Sequence, residues 1–592
     1  MCGLFFWKEL KSEMNMKPKP STPSHTAFRK NIFSGAICDY LCVSLLVIGT
    51  LYLFVWGTAS YPFWDPWEPK YAQAMKEMDQ RNDFITPYLD GKIRWAKPIL
   101  FYWAMYIPMR LGGNNEFTAR LPSGIAATLG VIAIYFFVKK LWHRRMAMMA
   151  ACILATTPQY IYMARQAMPD MLLTLFFITA MGFLALAHFS ETGTRGCFAL
   201  FYASVALAFL TKGPVIGVIC LGAIMMFAVT NIETDGTLSS KWGFSNFTTF
   251  LKSYHTGLGL VIFLLIAGPW YITIFVKHGY IFIDSFFRGE NIHRFVEPVR
   301  GHHGFVTYYL RTLFHGMYPW SGFLPAVALF TFHGINGVEK ERKKRAYFIC
   351  WGLSIFLIFT IAGTKQQHYI LPFTPVVAVL VAMVWEQYFR QDRPFWLPFA
   401  FLMAIAFMFL PIRDFLIEGN AYIFDNFTNR RNIDTGNVDI FIRYLFTLWA
   451  LVIGLAVFIR RSRVIAVLAV LIAFGNGIYF CHYVFPAHTK TRNVKKYIEY
   501  YVRERKPETR FIFYGKMRAS MNYYYRKGKY RHFEQGEKNS LLAYAKSNRH
   551  MMIITERKFA KKLLRRLRKE TVLRWRLISM EHPRYWLISG SP

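Results

Sequence analysis

Apolar runs long enough to cross a lipid bilayer recur along this chain from residue 37 to residue 485. A spanning helix needs about 20 apolar residues, because each residue adds about 1.5 Å and the hydrocarbon core is about 30 Å thick. The chain has 592 residues, of which 54% are hydrophobic. Soluble domains would not repeat such runs, so we predict a polytopic, mainly α-helical membrane protein.

About 13 runs satisfy this length requirement. The predicted membrane spans are 37–58, 117–138, 146–164, 171–190, 197–212, 214–231, 256–277, 319–335, 346–363, 370–386, 394–411, 440–459 and 464–485. The shorter run 98–111, PILFYWAMYIPMRL, contains two prolines. We predict that it forms an interfacial or re-entrant helix within the loop after the first span (residues 59–116, called the 59–116 loop).

Four basic loops fix the predicted orientation of the chain. They read KKLWHRR at 139–145, GVEKERKKR at 337–345, RQDR at 390–393 and RRSR at 460–463. All four fall on one side of the membrane if 98–111 does not cross it, and short basic loops favour the cytoplasm. The N-terminus is therefore predicted to be cytoplasmic and the C-terminus extracytoplasmic.

The chain divides by composition into three predicted parts. Residues 1–36 form a cytoplasmic segment, 37–486 the transmembrane domain and 487–592 a basic, extracytoplasmic α/β domain, called the C-terminal region. Within that region the predicted strands are 510–515, 550–555 and 584–589. Its predicted amphipathic helix is RKFAKKLLRRLRKE at 557–570, whose apolar residues recur on one face.

The net charge of +37 does not gather in any nucleic-acid-binding motif. It lies mostly in short loops and in the C-terminal region, which favours anionic membrane lipids or phosphorylated substrates as partners. No nucleic acid is expected. The eight cysteines form neither a CxxC pair nor a Cys/His cluster, so no zinc finger or disulfide framework is predicted.

Two carboxylates follow the first span within the aromatic motif SYPFWDPWEPKY. Asp65 and Glu68 fit a capped helix start, with proline at the first helical position. They also fit a functional site, because acids at a membrane interface are costly. Both interpretations remain open, and Tyr71 lies one turn further along.

Further polar residues collect in the other loops on the same predicted side. Asp170, near Arg165 in ARQAMPDM, is either a helix cap or a second carboxylate of the same cavity. Lys212 in LTKGP lies between two apolar spans, where a lone lysine commonly snorkels from a helix end. Lys97 in WAKP lies at an aromatic outer boundary, where a cation suits a lipid phosphate. The remaining candidates are Arg288, Glu290 and His293 in FFRGENIHRF, and Lys365 and His368 in TKQQHY.

No spacing among these residues is diagnostic of a metal. A divalent cation is chemically compatible with the loops, but the sequence predicts no cofactor and no metal ligand. The chain also shows neither a P-loop nor a glycine-rich dinucleotide turn, so no nucleotide site is predicted.

The order of the motifs resembles a known family. EPKYAQAMKEM is followed by WAKP, RQAMPDMLLTLF, LTKGP, ENIHRF and TKQQHYILP. Nearly the whole chain is similar in this order to the C-superfamily membrane glycosyltransferases, especially the bacterial lipid A aminoarabinose transferase branch and the protein-mannosyltransferase-like group. The family folds as a helical bundle with interfacial helices in its first outer loop.

The resemblance implies an inverting transfer of a sugar from a polyprenyl-phosphate donor, such as undecaprenyl phosphate, to an outer-leaflet acceptor. That acceptor would be lipid A, another envelope glycoconjugate or a protein, and the enzyme would be a monomer in the bacterial inner membrane. It implies catalytic acids at Asp65 or Glu68 and at Asp170, and a phosphate ligand at Lys97. Lys212 and Arg288 resemble further phosphate or headgroup contacts.

Two departures from the family pattern matter. Trp67 stands where the family has the Asp of an Asp-Glu pair, which leaves Asp65 and Glu68 as alternatives. Ala96 stands where the aminoarabinose branch has a metal-associated Glu, so no metal is carried over. The alternatives to a transferase are a polyprenyl-linked glycan ligase or polymerase and a transporter of lipid-linked sugars.

Overall fold

The apolar runs fold into helices in a computed structural model of the chain. It describes residues 25–190, 194–232, 252–297, 307–333, 339–390, 394–413, 420–421, 428–429, 438–459, 462–490, 493–515, 519–525, 530–578 and 585–592. The chain divides into two compact units, Met1–Leu45 and Leu46–Pro592. Everything described below lies in the second unit, apart from the first part of the first helix.

Eight helices of the described chain are long and apolar enough to cross a membrane. These spans are Ala36–Phe54, Glu116–Leu141, Asp170–Phe189, Thr194–Lys212, Thr256–His278, Glu339–Ile361, Gln367–Phe389 and Arg463–Ala487. Each coincides with a predicted span. Four shorter apolar helices fall on four further predictions, at Val215–Val229, Trp320–Thr331, Trp396–Leu410 and Arg443–Phe458.

The predicted span 146–164 is not one helix, and the prediction is wrong in this respect. It is divided into Arg144–Ala155 and Pro158–Ala164. The break has a local cause, since Thr157 is extended and Pro158 has no N–H to continue the hydrogen-bond ladder. Neither piece alone reaches the length of a membrane span.

Shorter helices and turns connect these elements. The helical elements of the 59–116 loop are Trp67–Arg81 and Leu100–Gly112. The second covers the predicted run 98–111, and its 13 residues reach only about 20 Å, which is too short to span a bilayer. The other helical elements before residue 490 are Tyr280–Phe282, the π-helix Ile283–His293, Arg294–Val296, Thr307–Gly316 and Phe485–Lys490.

Nine strands form three sheets in the described chain. The first hairpin pairs β1 (Tyr88–Leu89) with β2 (Lys92–Ile93), and the second pairs β3 (Asn420–Ala421) with β4 (Thr428–Asn429). The C-terminal region holds β5 (Arg510–Tyr514), β6 (Arg531–Phe533), β7 (Met551–Glu556), β8 (Arg574–Ile578) and β9 (Tyr585–Ser591). Their order is β6-β5-β7-β9-β8, with β5 parallel to β6 and β7 and the other pairs antiparallel.

Helices cover both faces of this five-stranded sheet, and the predicted α/β character of the region is confirmed. Lys538–Lys546 and Arg557–Glu570 pack one face through buried residues such as Leu541, Leu563 and Leu567. Lys495–Glu504 and Ala519–Tyr524 pack the opposite face. The central strand β7 is buried along its whole length, as expected for a strand covered on both sides.

The C-terminal region contacts the 59–116 loop. The Ser520 hydroxyl donates to the Asp65 carboxylate, and Asn522 Nδ2 donates to Asp90 Oδ1 at 2.5 Å. Tyr524 joins the same interface, because its hydroxyl accepts a hydrogen bond from the backbone N–H of Phe63 at 2.9 Å. The loop is therefore fixed by residues more than 400 positions further along the chain.

Candidate active site

A polar cavity of about 360 Å³ opens where the 59–116 loop meets four other segments of the chain. Five of the described residues that line it are Lys or Arg, and two are carboxylates. The lining residues are Trp67, Lys70, Tyr71, Ile93, Arg94, Trp95, Ala96, Lys97, Met168, Asp170, Lys212, Ser285, Glu290, Arg294, Gln366, His368 and Tyr369. Six predicted site residues meet here: Tyr71, Lys97, Asp170, Lys212, Glu290 and His368.

A buried ion pair lies in the wall of the cavity. Asp170 begins the helix Asp170–Phe189, and its Oδ1 accepts a hydrogen bond from Lys212 Nζ. His368 Nε2 lies 4.0 Å from the same oxygen. The lysine therefore neutralises the carboxylate, while the imidazole presents a titratable group beside it.

Lys212 reaches this position because its helix ends directly behind it. Gly213 adopts a φ of +91°, a left-handed conformation that favours glycine. A Cβ at this position would lie 2.9 Å from the ring of Phe286. The glycine of the LTKGP motif thus stops the helix and permits the close approach of the segment that carries Glu290.

Lys97 enters the cavity from the 59–116 loop and is half-buried. Burial, together with the nearby positive charges of Lys212 and Arg294, lowers the pKa of Lys97 to about 7. A cation held in this way gains from an anionic ligand, which would favour its ammonium form. The site is thus prepared for a phosphate or a comparable anion.

The β1–β2 hairpin delivers Arg94 and Lys97 to the cavity. Glu77 holds the hairpin turn, because its carboxylate accepts hydrogen bonds from the backbone N–H groups of Asp90 and Gly91 at 2.8 and 3.0 Å. Asp83 supports the chain that enters the hairpin by accepting from two backbone N–H groups and from Lys277 Nζ at 2.6 Å. These contacts lower the pKa of Asp83 to about 2, against the raising effect of burial.

Arg94 and Tyr71 form an aromatic and cationic side of the cavity. Arg94 Nε donates to the Tyr102 hydroxyl at 3.0 Å, and its guanidinium lies 5.0 Å from the centre of the Tyr71 ring. Burial raises the pKa of the Tyr71 hydroxyl, so Tyr71 is a neutral hydrogen-bonding group and not a base.

Glu290 and Arg294 contribute a second ion pair to the cavity lining. They lie one turn apart, and Arg294 Nη2 is 2.8 Å from Glu290 Oε2. Both side chains are about one quarter exposed, so the pair can open toward a ligand. The π-helix Ile283–His293 places Glu290 at this point, in keeping with the frequent use of π-helical turns at functional sites.

An apolar groove of about 260 Å³ shares a wall with the polar cavity. The shared residues are Lys97, Lys212, Glu290, Arg294 and Tyr369. The rest of the groove is formed mainly by aliphatic and aromatic side chains, among them Val215, Val218, Phe295, Ile358 and Phe359. The polar cavity, the shared cationic wall and the apolar groove follow one another in this order. They would match a ligand with a polar head, an anionic centre and an apolar tail.

Asp65 and Glu68 lie outside the cavity lining, although both were predicted as catalytic candidates. Asp65 is 1% exposed and accepts from Ser520. Glu68 is 0% exposed and pairs with Arg120, while it also accepts from the backbone N–H groups of Trp64 and Ala167 at 2.6 and 2.8 Å. Asp65 does not cap the following helix, whose N-cap residue is Pro66 without a side-chain hydrogen bond.

Four other predicted binding residues are also elsewhere. Arg165 is buried and donates to the Leu53 carbonyl at 2.7 Å. Lys365 donates to carbonyls at the end of the helix Glu339–Ile361, including that of Ala362 at 2.6 Å, which is a helix-capping role. Arg288 and His293 are 82% and 54% exposed at their side chains.

Several cavity residues were missing from the sequence prediction. Lys70, Arg94 and Arg294 add cations, while Trp67, Trp95, Gln366 and Tyr369 add hydrogen-bonding and aromatic surface. Lys70, Trp67 and Trp95 adjoin residues that were singled out, so their place next to the motifs was a usable signal. Gln366 and Tyr369 likewise adjoin the predicted residues Lys365 and His368. Arg94 gave no separate signal, because its position depends on how the β1–β2 hairpin folds.

The described part of the chain contains no group of three or more His, Cys, Asp or Glu that could hold a metal ion. The two cavity carboxylates are each paired with a cation. The residues present therefore favour anion binding over cation binding.

Comparison with known proteins places these features in context. A family model described as dolichyl-phosphate-mannose-protein mannosyltransferase matches residues 96–272, a segment that contains Lys97, Asp170 and Lys212. The chain is 28% identical over 338 residues to an undecaprenyl phosphate-alpha-4-amino-4-deoxy-L-arabinose arabinosyl transferase of Aeromonas hydrophila, covering 56% of this chain and 58% of that one. The corresponding protein of Pectobacterium carotovorum is 28% identical over 335 residues, covering 54% and 55%. The chain thus matches somewhat more than half the length of these relatives.

The similarity in fold to solved structures covers a larger share of the chain than the sequence matches do. The crystal structure of ArnT from Cupriavidus metallidurans bound to undecaprenyl phosphate has a TM-score of 0.71 at 18% identity, covering 92% of this chain and 97% of that one. The apo structure of the same protein gives 0.69 at 17% identity, covering 94% and 98%. Together with the sequence matches, the shared fold confirms the predicted resemblance to the aminoarabinose transferase branch and the protein-mannosyltransferase-like group.

Proposed function

We propose that this chain is an integral-membrane glycosyltransferase that moves a sugar from a polyprenyl-phosphate donor to an acceptor at the outer face of the membrane. The proposal rests on the cationic wall of Lys97, Lys212 and Arg294, which the polar cavity and the apolar groove share. A polyprenyl-phosphate sugar has the same three parts in the same order. Its sugar fits the polar cavity, its phosphate the cationic wall and its isoprenoid the groove.

The cationic wall also supplies the electrostatics of the reaction. As the bond between the anomeric carbon and the phosphate oxygen breaks, negative charge develops on the departing phosphate. Fixed cations near that oxygen stabilise the transition state more than the ground state. Lys97, Lys212 and Arg294 are the groups we assign to this task.

Asp170 is the carboxylate that we assign to the acceptor side. When the acceptor is a hydroxyl, its oxygen forms the new bond to the anomeric carbon and its proton passes to the carboxylate or to His368 beside it. When the acceptor is a phosphate, it is already anionic and these groups orient it. We propose that Asp65 and Glu68 hold the 59–116 loop in place.

The membrane topology belongs to the same proposal. We propose that the broken helix Arg144–Ala155 and Pro158–Ala164 crosses the membrane as one unit. With the twelve other apolar helices this makes 13 crossings, with a cytoplasmic N-terminus and an extracytoplasmic C-terminal region in a bacterial inner membrane. The contacts of Ser520 and Asn522 with the 59–116 loop support the placement of both on one side. The proposed acceptor is lipid A or another envelope glycoconjugate, and the proposed functional state is a monomer in contact with anionic lipids.

In vitro transfer tests the function directly. The purified protein in detergent with a synthetic polyprenyl-phosphate sugar and envelope lipid acceptors should release polyprenyl phosphate and form a glycosylated product. Asp170→Asn should abolish both. Movement of the intact donor across vesicle membranes without bond cleavage would instead support a transporter.

A further inference from the structure

A second, much smaller recess adjoins the polar cavity and is lined largely by glutamines. Its lining residues are Gln159, Tyr162, Met163, Gln166, Met168, Gln367 and His368. Met168 and His368 also line the polar cavity, so the two spaces are neighbours. The volume of about 10 Å³ is close to that of one water-sized group.

Unpaired buried amide atoms surround this recess. Gln159 Oε1, Gln166 Nε2 and Gln367 Oε1 are buried and have no hydrogen-bond partner, and the three residues are 1–4% exposed. Leaving a buried polar atom unpaired is costly. Three such atoms around one recess favour a hydrogen-bonding group at this place.

The polar cavity also contains a buried amide atom without a hydrogen-bond partner. Gln366 lines that cavity, is 6% exposed, and its Oε1 is also buried and unpaired. The amides offer both acceptor and donor atoms and carry no formal charge. A sugar hydroxyl has the same dual character, since it donates one hydrogen bond and accepts others.

The charges nearby disfavour a cationic sugar. Five Lys or Arg side chains line the polar cavity, and both of its carboxylates, Asp170 and Glu290, are already paired with a cation. No carboxylate lines the recess among the described residues. Five cations against two carboxylates leave an excess of positive charge, which repels an ammonium group and does not repel a hydroxyl.

We propose that the glutamine recess binds an uncharged hydroxyl group of the transferred sugar, so that the donor carries a neutral sugar and not an amino sugar. The inference rests on the proposed function, and it assigns the specificity-determining role to Gln166 and Gln367. It separates this chain from the relatives whose names specify an amino-deoxy sugar. The recess holds one substituent, while the sugar ring stays in the polar cavity.

Binding measurements test the proposal without requiring turnover. Polyprenyl-phosphate glucose and polyprenyl-phosphate 4-amino-4-deoxyarabinose are titrated into the purified protein, with fluorescence of the cavity residues Trp67 and Trp95 as the signal. We expect the glucose probe to bind at least about tenfold more tightly, which corresponds to about 1.4 kcal/mol. Equal binding, tighter binding of the amino probe or binding of neither overturns the proposal.

Variants show whether the glutamines cause the selectivity. Gln166→Met and Gln367→Met should each weaken glucose-probe binding by about threefold to tenfold through loss of a hydrogen bond. Gln166→Glu should narrow the preference by adding a carboxylate that attracts the amino probe. Gln535→Met, an exposed position in the C-terminal region, is the matched control and should bind both probes as the wild type does.

Two readouts separate this proposal from the proposed function. Selective binding of the glucose probe without any sugar transfer would contradict the transferase and leave the recess assignment standing. Transfer from the amino probe at least as fast as from the glucose probe would support the transferase and contradict the recess assignment. Unchanged probe affinities in Gln166→Met and Gln367→Met, at unchanged melting temperature, would also overturn the role of the recess.

Discussion

The Arg120 guanidinium donates hydrogen bonds from Nε and Nη2 to the two carboxylate oxygens of Glu68, each at 2.8 Å, and both side chains are buried. Arg120 also donates to the backbone carbonyls of Thr58, Tyr61 and Pro62. The pair therefore fixes the chain that enters the 59–116 loop to the helix Glu116–Leu141. We propose that the pair positions the loop.

Glu68→Gln should destabilise the protein strongly, because it leaves the Arg120 charge buried without its partner. Removing one member of a buried pair costs about 3–5 kcal/mol, so the melting temperature should fall clearly. The double variant Glu68→Gln/Arg120→Leu should recover part of the loss. The exposed Arg288→Ala is the control and should melt as the wild type does. Full stability of Glu68→Gln with loss of turnover would restore a catalytic role for Glu68.

Asp170→Asn should reduce transfer by about 100-fold or more while the protein still inserts and purifies. Asp65→Asn should retain most of its turnover per folded molecule, because Asp65 contacts Ser520 and lies outside the cavity lining. The measurement is single-turnover release of polyprenyl phosphate. If Asp65→Asn lost more turnover than Asp170→Asn, the reactive carboxylate would be Asp65 and would lie outside this cavity.

Donor affinity should fall as pH rises above about 7. Lys97 has a lowered pKa of about 7 in the free protein, and a bound phosphate favours the ammonium and raises that pKa. Between the two pKa values, binding takes up a proton, and the dissociation constant rises by up to about tenfold per pH unit. Titrations of a polyprenyl-phosphate sugar from pH 6 to 9 measure this slope.

Lys97→Arg should flatten the pH profile, because arginine stays charged throughout this range. Lys97→Met should weaken binding at pH 6 and also remove most of the slope. A steep profile that persists in Lys97→Arg would assign the titration to another group, such as His368.

Gly213→Ala should lower both stability and donor binding. The added methyl group meets the Phe286 ring at 2.9 Å, and the φ of +91° is strained for any residue with a Cβ. Gly217→Ala is the matched control, since a Cβ there meets nothing within 4 Å. Melting temperature and donor titration should separate the two variants, and equal behaviour would show that the turn after Lys212 is not constrained.

The sequence predicted the helical framework because apolar length is a local property. The eight long spans and the strands β5, β7 and β9 follow from runs of residues that need no knowledge of distant contacts. The strands β6 and β8 were not predicted. The break at Pro158 was also visible in principle, but the apolar character on both sides concealed it. A count of apolar residues gives the length of an apolar run, but it does not show whether that run forms one unbroken helix.

The candidate site was predictable only where charge and motif coincided. Lys97, Asp170 and Lys212 were found because they interrupt apolar surroundings. Asp65 and Glu68 gave the same signal, but they are buried outside the cavity lining, and we propose that they position the 59–116 loop. Their true partners, Ser520 and Arg120, are 455 and 52 positions away, and no local pattern identifies them.

The separation of Asp65 and Ser520 has a consequence for biosynthesis. The 59–116 loop is translated more than 400 residues before Ser520 and Asn522, so its contacts to them cannot form until the intervening chain has been made. During that interval the loop that carries Lys97 lacks its latest-made supports. A premature stop codon anywhere before residue 520 should therefore leave inserted helices with an incompletely held loop, open to proteases on its side of the membrane. Residues translated much later than the 59–116 loop thus complete its support.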